Sequence, residues 1–376
     1  MDSRTVELDK KDDKLFLVTC IIYIVCLLLF ICLRVMGGLG AFDKLSDAGA
    51  DITFSILSQV VIMFLVPVVA IASYTRYIAQ RRAMTYWRGK TPGVFDATPF
   101  RKGGITETHT VLKSWGFGKT TWRVIGFAFL LGALLYFFNI FVAGFMHGVL
   151  SIFGYRFPSG ESTFTGISGF FVTLVLVGVL PGICEETAHR GLLLNGLRSR
   201  LGITKAILFS SIIFGLMHLN IVQCIYAAIL GYLIALAVVA TRSIWTGIIM
   251  HFMNNALNTF FGFAHSEGWF LGDFMDGLNN LFANFGFFFF LAFVFGMYCL
   301  IMLVINKFAK ENYLTTPSSP NDAAQATKLT FWNTAKICLD DGKKPEKLQP
   351  SEKAVFYGII FLGCLVTLFT LIWGFL

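Results

Sequence analysis

Charge is what this chain of 376 residues has least of. Asp, Glu, Lys and Arg make up 14% of it, against about 25% in a soluble globular domain, so most of its surface is not built to face water. Sustained alternation of apolar and polar residues is also missing, which excludes a transmembrane barrel. No internal repeat recurs along the chain, and with it go the paired inverted halves typical of many transporters. The eight cysteines are scattered, and Cys20, Cys26, Cys32, Cys224, Cys299 and Cys364 lie inside apolar runs. They supply neither a disulfide framework nor a zinc knuckle. The common zinc-protease helix motif, His-Glu-x-x-His, does not occur.

Long apolar runs are what the chain has in abundance. Nine are present, at about 15–36, 52–74, 122–151, 164–184, 203–219, 222–240, 243–262, 283–306 and 353–375. A helix needs about 20 residues to cross roughly 30 Å of hydrocarbon, and its backbone groups must be satisfied within the segment. The expected fold class is therefore all-α, a polytopic transmembrane bundle of about nine spans. The first run follows a charged leader, Met1 to Lys14, with no small-residue cleavage site, and reads as a retained helix rather than a removed signal peptide.

The net charge of +8 is unevenly spread. Basic residues crowd the stretch from Arg76 to Lys119 and the stretch from Lys307 to Lys353. Basic connections stay in the cytoplasm, which puts the N-terminus inside and, with nine spans, the C-terminus outside. The connection after the seventh run, with Glu267, Asp273 and Asp276 and no Lys or Arg, reads as a loop on the outer side. Positive charge so placed indicates orientation and contact with anionic lipid, not nucleic-acid binding. Thr315 to Asn321 reads as loop. Three sections are expected: N-terminal helices with a basic cytoplasmic loop (1–161), a central four-helix core (162–262), and C-terminal helices with a cytoplasmic loop (263–376).

Within the central section, from Ser162 to Ser266, the only acidic residues are Glu185 and Glu186. A carboxylate in hydrocarbon is costly, so it marks a functional site by default. The plainer reading is a structural ion pair, because Arg190 follows Glu186 at helical pairing distance. That leaves Glu185, about 100° around the helix, without an assigned partner. Later runs carry His218, and then His251 with Asn255 one turn beyond it on the same face. A lone histidine on an apolar helix is more often an interhelical hydrogen-bonder. Three polar features in successive helices, beside a spare carboxylate, point instead to a shared site. Counting about 1.5 Å per residue from the basic helix ends puts Glu185 and His251 near mid-membrane. His218 falls further out, unless the fifth helix is short or tilted.

A carboxylate and an imidazole can together deprotonate a water, and a second imidazole and an amide can donate to an oxyanion. Two His and one Glu can also hold zinc, with Glu185, His218 and His251 as the ligand set. Asn255 is a poor zinc ligand and an adequate hydrogen-bond donor, so no cofactor is favoured while Zn2+ stays open.

Glu185, Glu186 and Arg190 with Gly191 behind it, then Phe214 and His218, then His251 and Asn255, resemble the three-motif signature of the CAAX-protease and bacteriocin-processing family of intramembrane proteases. The resemblance covers about the central 100 residues. It implies that Glu185 and His218 activate the water, that His251 and Asn255 stabilise the oxyanion, and that Glu186 and Arg190 support them. The family often has an aromatic residue before the arginine, where this chain has His189. His189 reads either as a polar substitute touching lipid headgroups or a neighbour, or as a ligand or proton carrier.

The expected function is an intramembrane endopeptidase acting on a membrane-associated peptide or protein in the lipid bilayer. The rivals are a non-enzymatic immunity or scaffold protein of the same fold and a proton-coupled transporter. The expected location is multi-pass in a bacterial cytoplasmic membrane. Two other signals are set aside: Gly166-Ile-Ser168-Gly169, a chance match to a serine-protease motif, and Pro181-Gly182, read as a kink or as room for substrate.

Overall fold

The computed structural model describes residues 14–88, 116–117, 120–156, 164–284, 287–315 and 345–375. Among the described residues there is no strand. Ten helices follow in order. They are α1 (Leu15–Gly38); α2, continuous through Asp47–Ser55, Ile56–Leu65 and Val66–Arg88; α3 (Trp122–Ile152); and α4, continuous from Gly166–Thr173 to Leu194–Leu201. After these come α5 (Ile203–Leu216), α6 (Ile221–Thr241), α7 (Ile244–Ser266), α8 (Phe270–Asn284), α9 (Phe287–Thr315) and α10 (Pro350–Trp373). The protein is an all-α polytopic membrane bundle.

Each of the nine apolar runs falls in a helix over all or most of its length. Among the described residues, six helices are long and apolar enough to cross a membrane: Leu15–Gly38, Asp47–Ile78, Trp122–Ile152, Gly166–Leu201, Ile221–Thr241 and Pro350–Trp373. α5 has 14 residues, or about 21 Å, too short to cross alone. α7 has the length, but His251, Asn254, Asn255 and Asn258 dilute its hydropathy.

Three connections differ from expectation. The acidic stretch after the seventh run is mostly helical, as α8. Its apolar residues, Phe270, Leu271, Phe274, Met275 and Leu278, recur at helical spacing, and Phe270, Leu271 and Phe274 are exposed. Such a stripe suits a helix lying along a membrane surface. Both basic stretches also begin as continuations of helices, α2 to Arg88 and α9 to Thr315. Of the expected loop from Thr315 to Asn321, Thr315 is the last residue of α9 and the rest lies outside the described residues.

Helices in lipid associate through close backbone approach at small residues, and glycines mark the main contacts. A Cβ at Gly132 of α3 would stand 2.9 Å from Met250 O of α7, and one at Gly196 of α4 would overlap Thr19 of α1. α5 and α6 form a hairpin whose turn at 217–220 is tight. Leu219 takes φ of 54°, and Asn220 caps α6 by accepting from Val222 N and Gln223 N. α10 seats on that hairpin. Its Gly363 meets Leu216, and Thr370 Oγ1 lies 3.0 Å from Leu219 O. α10 also packs on α1, with Phe16 and Phe356 rings 5.8 Å apart. Near its start, Arg200 pairs with Glu346 and with the buried Glu352.

α4 organises the centre. Its 36 residues exceed what a bilayer core requires, and it has two π-helical stretches, Leu174–Val179 and Thr187–Leu193. Between them lies Leu180–Glu186, ending on the glutamate pair. Pro181 has no N–H to offer the Val177 carbonyl four residues back, and Val177 O accepts from Asn255 Nδ2 at 2.8 Å instead. Gly182 lets α7 approach, since a Cβ there would sit 3.3 Å from Ile248 O. The reading of the Pro-Gly pair as a site of loosened helix hydrogen bonding fits this arrangement, a widened helix held against α7.

Candidate active site

The two adjacent carboxylates have separate environments. Glu186 is fully buried. Its Oε1 accepts from Arg190 Nη1 at 2.7 Å and lies 2.9 Å from His251 Nδ1. Arg190 also donates through Nη2 to Gly231 O of α6 at 2.9 Å, and its guanidinium lies 4.7 Å from the Phe214 ring centroid. A buried charge needs this much answering, and the result ties α4, α5, α6 and α7 together. Gly247 makes the approach possible, because a Cβ there would stand 2.8 Å from Glu186 Oε2.

Glu185 points the other way. It lines a cavity of about 280 Å³ together with His218, His189, Gln59, Arg34 and Phe214. Its Oε1 accepts from Gln59 Nε2 at 2.8 Å, and its Oε2 lies 4.0 Å from His251 Nε2. His218 sits on the tight turn just beyond α5. Its Nδ1 donates to Phe214 O at 3.0 Å, which leaves Nε2 of a neutral ring as the acceptor. Glu185 and His218 line the same cavity although they are far apart in sequence. At about 1.5 Å per residue, Glu185 lies about 24 Å from the end of α4 and His218 about 22 Å from the start of α5. The two side chains are level because α5 starts where α4 stops.

His251 stands behind the cavity wall rather than on it. The rings of His218 and His251 both meet Phe214 edge-on, at 5.1 and 5.8 Å, so the two histidines share one side of the bundle. Asn255 is engaged elsewhere. Its Nδ2 serves Val177 O, and its Oδ1 accepts from Asn254 Nδ2 at 2.9 Å, while Asn254 Oδ1 in turn takes Asn139 Nδ2 at 3.4 Å. The Asn255 amide carries a second N–H besides the one given to Val177 O, and an oxyanion role would fall to it. Among the described residues, no group of three His, Cys, Asp or Glu side chains is arranged to hold a metal ion. The conditional set Glu185, His218 and His251 is not drawn together as ligands, and the Nδ1 of His251 is already committed to Glu186.

His189 is buried rather than at the lipid headgroups. Its ring lies 4.8 Å from Phe214 and 5.4 Å from Tyr23, edge-on to both. Neither ring nitrogen has a hydrogen-bond partner. Sequence reasoning missed Gln59 and the Asn139–Asn254 pair. The signal was there, since each is an amide set in an apolar run, and the rule that singled out Glu185 applies to amides in weaker form.

Residues 167–257 match the model of a family described as Type II CAAX prenyl endopeptidase Rce1-like. That stretch holds nearly all of α4, the whole of α5 and α6, and α7 through Leu257. No curated protein and no solved structure matches the chain. Over its central helices, the part that carries Glu185, His218 and His251, the chain is matched by the CAAX prenyl endopeptidase family, and the resemblance in its three motifs holds.

Proposed function

We propose that the protein is an intramembrane endopeptidase that hydrolyses a peptide bond at or within the bilayer. The observation that carries this reading is the split of the glutamate pair. Glu186 is consumed by Arg190 and His251, while Glu185 is kept beside His218 on the wall of one cavity. In the proposed reaction a water held between Glu185 and His218 Nε2 gives a proton to Glu185 as its oxygen bonds to the scissile carbonyl carbon. The tetrahedral oxyanion is met by hydrogen-bond donors from α7: the second amide N–H of Asn255, and Nε2–H of a His251 ring that carries both protons, its Nδ1–H being held by Glu186. Collapse breaks the C–N bond, and Glu185 returns the proton to the leaving amine. The mechanism is glutamate-based and routes no step through a metal.

A second groove supports a lipid-bearing substrate. It has a volume of about 950 Å³, a mainly apolar wall that includes Val366, Phe369 and Trp373 of α10, and it shares Arg34, His218 and Gln223 with the cavity. A hydrocarbon chain suits that wall, and a peptide carboxylate suits the Arg34 end. A prenylated peptide, the substrate class in the matched family's description, meets both conditions.

The test is cleavage of a fluorogenic farnesylated peptide by the purified full chain in detergent. Wild type should cut it, and Glu185→Gln should lower kcat by roughly 10²- to 10⁴-fold, the range for removing a general base, without loss of folded protein. Equal activity in the variant sinks the proposal. Dialysis against a strong chelator should leave the wild-type rate unchanged. Loss of activity, restored by zinc alone, would overturn the glutamate-only mechanism.

A further inference from the structure

We infer that Gln59 is a positioning residue that holds Glu185 ready for its proton transfer, an inference that rests on the reading of Glu185 as the general base. Gln59 belongs to α2, more than 100 positions before the matched segment. It reaches the site because α2 is π-helical over Ile56–Leu65. A π turn carries an extra residue per turn and re-aims the side chains around it, and such turns are frequent at functional sites. This one packs against Leu180–Glu186 of α4, the stretch that ends on the glutamate pair.

The hydrogen bonding is one-sided in an informative way. Gln59 Nε2 donates to Glu185 Oε1 at 2.8 Å. The other end of the amide, Oε1, is buried and has no partner. An amide recruited for packing alone would satisfy both ends, because a buried acceptor left unmet costs about 1–3 kcal/mol. An ionised carboxylate only accepts hydrogen bonds, so the amide must present its NH2 to Glu185 while the base is charged. Once Glu185 has taken the proton from water, its carboxyl becomes a donor, and the Gln59 oxygen is available to accept. Glutamine can therefore serve both protonation states. It also fixes Oε1 of Glu185, which leaves Oε2 on the side of His251 Nε2.

Two readouts on the purified full chain test this. The first is infrared difference spectroscopy of the Glu185 carboxyl, assigned by subtracting the spectrum of Glu185→Gln and recorded at one fixed pH. Gln59→Met keeps the side-chain length but removes the donor, and the Glu185 carboxyl band should shift in frequency because the 2.8 Å hydrogen bond to Gln59 Nε2 is lost. Gln59→Asn, which withdraws the amide by one methylene, should shift it too. A band at the wild-type frequency in both variants overturns the inference, whether or not any peptide is cut. The second readout is turnover of the farnesylated peptide. Gln59→Met should lower kcat about tenfold, the factor corresponding to one ordinary hydrogen bond, with KM unchanged. A raised KM at constant kcat would assign Gln59 to substrate binding instead and overturn the positioning role. A shifted band in a protein whose wild type does not cut the peptide would keep the Gln59–Glu185 coupling and sink the peptidase reading on that substrate. Thermal melting in the same detergent separates either result from misfolding.

Discussion

Arg190 meets a carboxylate, a carbonyl and an aromatic face within one turn of its own helix and the neighbouring helices. This predicts that the two glutamates fail differently. Glu186→Gln removes the charge that answers a buried guanidinium and should destabilise the protein by about 3–5 kcal/mol, as breaking a buried pair does. Yield and melting temperature in detergent should both fall. Glu185→Gln should leave both near wild type, because its carboxylate borders a cavity and bonds one amide. The reverse pattern would mean that the roles are exchanged. The Glu186–Arg190 pair was legible in the sequence because both ends lie on one helix at a fixed spacing. The contact of His251 with Glu186 was not, because it depends on how α7 is rotated against α4. His189 gives a second test. With both nitrogens unpartnered among Tyr23 and Phe214, its imidazole costs stability that a phenyl ring would not. His189→Phe should be neutral or raise stability by up to about 1–3 kcal/mol, with the cleavage rate kept. A collapse in rate in a well-folded variant would show that the imidazole carries protons.

Hydropathy located the helices but not their ends. α4 was legible as an apolar run to about residue 184, yet it continues to Leu201. The extension is polar in composition and helical in fact, because Glu186, Arg190 and their partners satisfy one another inside the bundle. α8 is a helix where a loop is expected, because its apolar residues recur at helical spacing between the acidic ones. The π-helical stretches left no mark in the composition beyond Pro181. The contact between α4 and α7 depends on small residues, and there the expected outcome is specific. Gly247→Ala places a methyl 2.8 Å from Glu186 Oε2 and equally close to Val238. α7 must move away, the His251 Nδ1 bond to Glu186 should be lost, and overpacking of this kind typically costs about 1–3 kcal/mol. A melting temperature and a cleavage rate equal to wild type would show that α7 shifts freely.

Across the whole molecule, the order and spacing of three motifs identified the central helices, and nothing in hydropathy named their surroundings. Gln59 comes from α2, Tyr23 and Arg34 from α1, and the floor of the apolar groove from α10. These contacts join residues more than 100 positions apart, and no local pattern encodes them. α10 is the clearest case. Through Thr370 and Gly363 it holds the turn that carries His218, although it lies far beyond the matched segment. A membrane protein is inserted from its N-terminus onward, so Glu185, His218 and His251 are all in the bilayer well before α10 is synthesised. Until then the turn lacks its clamp and the groove lacks a wall. The nascent chain should accordingly be inert toward its substrates and toward its own emerging helices, with activity switching on once α10 has packed against the turn. Ribosome-bound chains stalled before residue 350 should leave the farnesylated peptide intact in a translation–microsome assay, and released full-length chains should cut it. Cutting by the stalled chains would show that the clamp is dispensable.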